Sequence, residues 1–165
     1  MRLALRLIFF VALAALGCWL WTVFFPSAEK IILKKMASLA TTATFNAGDS
    51  PINRASKAAS LVGYFSDDAE IVVDVTGLGS HTLGGREEIR EHAYGAFATL
   101  PGLKVSFLDV TVRVGPDHQT AEVSCTGRVF VGTDKDYGVQ ELRFKFKQVE
   151  SHWLITRVET VKTLS

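Results

Sequence analysis

Cysteine and proline are scarce in this chain of 165 residues, which has two of the first and four of the second. Cys18 lies inside a long apolar run, so Cys125 is the only thiol outside it and no disulfide can cross-link a domain there. Val123 and Val129 share its parity on an expected strand, which makes Cys125 a small buried hydrophobe rather than a reactive thiol. An excess of either charge is missing too. Eighteen Lys+Arg against 17 Asp+Glu leave a net charge of +1, which excludes nucleic acid as the main partner, because that reading needs a basic excess on one face. No two of the four histidines stand at i, i+4, and no His/Cys cluster has ligand spacing, so neither a metal nor a cofactor is expected. A Gly-x-Ser-x-Gly elbow and a phosphate-cradling glycine loop are also absent; the glycine-rich stretch 77–85 has the order strand, turn, strand of a hairpin.

What the chain does have is apolar residues, 48% of the total, with a mean hydropathy of +0.22. They are unevenly placed. Leu7 to Phe25 is a run of 19 uncharged residues in which only Gly17 and Thr22 are not apolar. As a helix it would be about 28 Å long, close to the hydrocarbon thickness of a bilayer. Trp19, Trp21, Phe24 and Phe25 gather at one end, where aromatics anchor at headgroup level, and Pro26 closes the run. Residues 1–27 are therefore expected to be an uncleaved signal anchor. Secretion after signal cleavage, or lipidation at Cys18, fits less well: Pro26-Ser27-Ala28 is a poor cleavage site and Trp-Leu-Trp follows the cysteine. Arg2 and Arg6 before the run nearly balance Lys30, Lys34 and Lys35 after it; the short leading tail favours a domain on the outer, extracytoplasmic side. Residues 28–165 then form one domain of ordinary polarity.

Helices come first in that domain. Ile32, Met36, Leu39 and Ala43 give an amphipathic helix from about Ala28 to Phe45, stopped at Asn46-Ala47-Gly48-Asp49. Ser50 is an N-cap with Pro51 at the first helical position, and Ile52, Ala55, Ala59, Val62 and Phe65 line one face of a second helix that Asp67-Asp68 ends as turn formers. Ile71-Val72-Val73 reads as a strand and His81-Thr82-Leu83 as a short one. Gly84-Gly85 opens a third helix with Ile89, Ala93, Phe97 and Leu100 inward, ended by Pro101-Gly102. Four β-rich runs follow, 103–115, 120–131, 138–150 and 152–163, separated by hairpin turns. In the first of them the apolar parity slips between Phe107 and Leu108, which predicts a bulge that bends the sheet. The expected class is α+β, a curved antiparallel sheet with three helices on its concave face, preceded by one transmembrane helix.

Asn46-Ala47-Gly48-Asp49, Phe65-Ser66-Asp67-Asp68-Ala69-Glu70 and Gly85-Arg86-Glu87-Glu88-Ile89, followed by four long strands, resemble the nuclear transport factor 2-like superfamily over about residues 28–164. That group holds ketosteroid isomerases, SnoaL-like polyketide cyclases and many non-enzymes. The stretch between Asp49 and Phe65 is longer than the family's usual spacing. The resemblance implies a cone-shaped, cystatin-like fold with an apolar pocket at its wide end. It implies no particular reaction, since the fold hosts many.

An isomerase of this group combines a carboxylate base with a tyrosine and a protonated acid as oxyanion donors. Matched onto this chain, the tyrosine position falls on Thr41, the base on Val73 with Asp74 one residue later, and the second donor on Gln140, two residues before Leu142-Arg143-Phe144. One residue of offset turns a strand side chain to the other face, so Asp74 should point away from the pocket. Gln140, Leu142 and Phe144 share a parity and should line it. Tyr94 flanks the inward stripe of its helix, as His92 does, and His81 could reach the pocket mouth. The resulting expectation is a membrane-anchored, non-catalytic binding domain whose pocket takes a small apolar ligand or a partner segment, with Thr41, Val73, Tyr94, Gln140, Leu142 and Phe144 as contacts. The alternative is a small-molecule enzyme of the isomerase, cyclase or hydrolase type using Asp74, His81 or Gln140. On the outer sheet face, Arg128 and Phe130 beside Arg143, Lys145 and Lys147 offer a surface for a homodimer.

Overall fold

The computed structural model describes residues 27–75, 79–132 and 137–161. The apolar run Leu7–Phe25 lies outside them, and among the described residues no helix is long and apolar enough to cross a membrane. The order is α1 (Ala28–Ala43), α2 (Pro51–Val62), β1 (Phe65–Val75), β2 (Gly79–Gly84), α3 (Gly85–Thr99), β3 (Leu103–Val114), β4 (Thr120–Val131), β5 (Tyr137–Val149) and β6 (His152–Thr160). The strands form one sheet in the order β2-β1-β6-β5-β4-β3.

Local chemistry fixes the helix starts. Ser27 Oγ accepts from the Lys30 amide at 3.4 Å, and Ser50 Oγ accepts from the Asn53 amide at 3.3 Å with Pro51 in the first turn. The second helix is shorter than its apolar pattern suggests. Phe65 and Asp67-Asp68 belong to β1, not to a helix face and a turn. Arg86, in the first turn of α3, overrides the weak strand propensity of Ser-Asp-Asp: its Nε donates to the Phe65 carbonyl at 3.0 Å and its Nη1 pairs with Asp67 at 2.7 Å. Asp68 accepts from Ser66 Oγ at 2.7 Å, and that bond holds its carboxyl below the usual range.

The sheet is mixed rather than wholly antiparallel, because β1 and β6 run parallel. The cause is directional. Helix α3 carries the chain the full length of the sheet, so β3 starts at the opposite end from β1, and three antiparallel steps bring β6 back to β1's direction. The slip in β3 is a bulge between Leu108 and Thr111, with Asp109 at a φ of 52°. A second irregularity lies between β5 and β6, opposite Lys145 and Phe146. The β5–β6 hairpin turns on Glu150 and Ser151, both at positive φ, as a tight two-residue turn requires.

Ile32, Met36 and Leu39 of α1 and Ile89 of α3 meet Ala69, Val123, Phe144, Phe146, Trp153 and Ile155 in one core. Burial is graded along the strands. Where β3–β4 and β5–β6 turn, Ala121, Phe146 and Trp153 are sealed; towards the other end Leu142 and Gln140 are half-buried, and Val131 is 38% exposed. The helices thus seal one end of the sheet; at the other, the open end, a smaller cluster of Phe45, Ala58 and Phe97 packs the helix ends while Leu142 and Gln140 stay half-buried.

The outer face carries a charge ladder instead of a core. Arg157 joins Glu70 to Glu159, and Arg143 reaches Glu159 at 3.2 Å and Glu122 at 3.6 Å, linking β1, β6, β5 and β4. The hydrogen bond from Arg157 holds the Glu159 carboxyl below the usual range. A carboxylate with a depressed folded pKa contributes stability that is present above its unfolded value of about 4.3 and is lost as pH falls through the folded one. Glu159→Gln should therefore lower stability at neutral pH and flatten its decline on acidification, as read by urea titrations at a series of pH values. An unchanged acid limb would remove Glu159 from that account.

Candidate functional site

Four strands supply the open end. Leu142 and Phe144 point inward from β5, as their shared parity predicts, but at different depths. Phe144 is buried and meets Phe107 edge-on, with ring centroids 5.4 Å apart, so it forms the floor. Leu142 and Gln140 are half-buried above it. Gly127, directly opposite Gln140 on β4, makes room for this arrangement: a Cβ there would stand 2.6 Å from Leu142 Cδ1.

Val73 shares the inward face of β1 with Ala69 and Ile71, and it pairs with His81 across the β1–β2 ladder. Directly paired residues project from the same face, so His81 stands at the rim, exposed. Asp74 lies on the other face, in line with Glu70 and Val72. Its amide donates to Thr160 Oγ1 at 2.9 Å, which extends the β1–β6 pairing past its last register pair. The Nε2 of Gln140 donates to the Val161 carbonyl at 3.3 Å. Asp74 and Gln140 are therefore not brought together, and the described inward strand positions from Ile71 to Thr160 carry no carboxylate.

Two expected contacts lie elsewhere. Thr41 is exposed, and its hydroxyl donates to the Ala37 carbonyl of its own helix at 3.0 Å; its neighbour Thr42 faces the protein and meets Tyr64 Oη at 3.3 Å. One position is about 100° of helix, enough to exchange a facing residue for an exposed one. Tyr94 is 39% exposed and lines a groove of about 280 Å³ between α2 and α3, with Arg54, Ala55 and Phe97. A second surface hollow of about 470 Å³ opens at the same end of the sheet, between Phe45, Pro101, Lys104 and Phe130. His92 is exposed. Burial pushes the Cys125 thiol up to about 11, so it stays neutral in the core. Among the described residues no group of three His, Cys, Asp or Glu side chains could hold a metal ion.

The residue that organises the rim carries no sequence signal. Arg54 Nη1 donates to the carbonyls of Leu100 at 2.9 Å and Phe97 at 3.2 Å, while Nη2 donates to Asn46 at 2.9 Å, Ala47 at 3.2 Å and Pro101 at 3.3 Å. Its guanidinium lies 4.8 Å from the centre of the Phe45 ring. Lys57 adds a 3.1 Å pair with Asp49, whose carboxyl is held low by that bond. Together they fasten the α1–α2 loop to the end of α3.

Solved structures share this fold. An NTF2-like protein of unknown function from Pseudomonas putida KT2440 superposes with a TM-score of 0.65 at 13% identity, over 84% of this chain and 88% of its own. An NTF2-like protein with a cystatin-like fold from Novosphingobium aromaticivorans gives 0.56 at 22%, over 81% and 85%. The fold is NTF2-like. A chain of the yeast deubiquitinase Ubp3 and Bre5 cofactor complex superposes with a TM-score of 0.60 at 15% identity, over 83% of this chain and 99% of its own. No family model and no curated protein matches the sequence. The likeness therefore fixes the fold, and not a reaction.

Proposed function

We propose that the chain is a membrane-tethered binding domain, without catalysis, whose open end takes a small apolar ligand or a partner segment. One observation carries this reading: the inward wall at the open end is built from Val73 and Leu142 above the Phe144 floor, with no carboxylate, and its one amide is engaged by Val161. General acid–base chemistry needs a titratable group within hydrogen-bond reach of the substrate. Asp74 faces the other way, as its strand parity predicts, which leaves His81 at the exposed rim as the group an enzyme reading would rest on. In this reading the run Leu7–Phe25 is the tether, with the domain on the outer side of the membrane. Tethering raises the domain's effective concentration towards partners on that membrane. The outer sheet face, with Val139 49% exposed beside Arg128, suits a second copy.

The test starts from the full chain, purified in detergent from carbonate-washed membranes, with mass spectrometry of the small molecules it retains. The same apolar molecule should stay bound to a His81→Ala, Gln140→Ala variant. Loss of a chemically altered product in that variant, with unaltered compound in its place, would favour the enzyme reading. Release of the full chain by carbonate would remove the tether.

A further inference from the structure

We infer that the closed end of the cone rests against the headgroup layer of the bilayer and that its open end faces water, so the ligand enters from the aqueous side. The inference rests on the tether proposed above and adds a direction to it.

The first argument is where the ordered domain begins. Ser27 caps α1, and only Pro26 separates it from Phe25, the last residue of the apolar run. Two extended residues reach about 7 Å, so the start of α1 cannot stand far from the membrane surface.

The second is the direction of α1. At its midpoint, Lys35 Nζ donates to the Trp153 carbonyl, beside the β5–β6 turn, so the half that precedes it, residues 28–34, lies at or beyond the closed end. At its finish, Thr44 Oγ1 accepts from the Val105 amide at 3.0 Å and Phe45 pairs with Leu103 at the open end. Helix α1 therefore runs from the closed end to the open end, and its 16 residues span about 24 Å. Turning the open end to the bilayer would need a linker long enough to retrace that length, about seven extended residues. The sequence provides two.

The third is what surrounds the entry point. The opening turns of α1 leave Ile31 40% and Leu33 37% exposed between the exposed Lys30 and Lys34, and Val149 at the same end is 41% exposed. Single exposed hydrophobes need no explanation on a surface in water. Beside a membrane-inserted segment they meet the acyl boundary while the lysine ammonium groups reach the phosphates. The partner of this surface is thus the phospholipid headgroup layer. Glu29, Asp117 and Glu150 also lie at this end, so the apolar contact and the short linker set the orientation, and net charge does not.

A bimane label and a headgroup-nitroxide lipid test the orientation on the full chain in phosphatidylcholine–phosphatidylglycerol vesicles. Cys18→Ser removes the leader thiol, and Cys125 is buried. Labels are placed at Ser151→Cys on the closed end and Ala47→Cys on the open end, both exposed positions. The label at 151 should be quenched several-fold more strongly than the label at 47, which stands on the order of 24 Å further out. Equal or reversed quenching in protein that still floats with the vesicles overturns the orientation and leaves the tether standing. Failure to float overturns both.

Discussion

Replacing Arg54 with alanine is expected to destabilise the domain by about 3 kcal/mol and to lower its Tm by about 10 °C. Helix α3 ends with orphan carbonyls and has no basic residue in its own last turn, so the positive charge its C-terminus favours comes from α2. One planar guanidinium serves five carbonyls there and covers the Phe45 ring. Removing it leaves some of those acceptors shielded from water, at about 1–3 kcal/mol for each one left buried and unpaired. Two effects limit the total. The carbonyls of Asn46, Ala47 and Pro101 are close enough to solvent to be rehydrated, and Arg54 Nε is itself buried without a partner, a cost that disappears with the side chain. Arg54→Lys should restore less than half of the loss, because a single ammonium cannot span acceptors on two segments. Urea and thermal unfolding of both variants measure this. A loss below about 1 kcal/mol for the alanine variant would mean that water caps α3 as well as the arginine does.

Arg54 also marks the boundary of what the sequence makes legible. Features written in neighbouring residues are readable in advance: the Ser50-Pro51 helix start, the parity slip that becomes the bulge at Asp109, and the inward alternation of Leu142 and Phe144. Each depends on a period of 2 or 3.6, or on one turn of chain. The acceptors of Arg54 come from residues 46–47 and 97–101, and no local pattern joins those segments. The same limit applies to Asp67, read as a turn former until Arg86 of α3 is seen holding it in a strand. Thr41 shows a different weakness: counting from a motif places a residue to within one position, and a helix rotates far enough in that step for Thr42 to face the protein instead. Asp74 is the favourable case, since strand alternation alone places it opposite Val73, and the unbroken β1–β2 register agrees.

Phe144 and Leu142 should separate floor from wall, because alternation puts both on one face and only burial tells them apart. Phe144 is 3% exposed, lies between Val123 and Val158 in the ladder and packs edge-on against Phe107. Phe144→Ala removes a sealed aromatic from the middle of the core, and a loss of about 4 kcal/mol is expected, the usual scale for a cavity of that size. Leu142 is half-buried beside Gly127, with water already close on one side. Leu142→Ala should accordingly cost no more than about 2 kcal/mol, below the range for sealed leucines. Ligand retention should run the other way. A compound held at the open end touches Leu142, so the folded Leu142→Ala variant should lose it, whereas Phe144→Ala, at temperatures where it remains folded, should keep most of it. Paired denaturation and mass-spectrometric measurements on the two variants decide the matter. If Phe144→Ala costs less than about 1 kcal/mol and empties the site, the cavity extends down to Phe144 and the floor lies deeper, at Phe146.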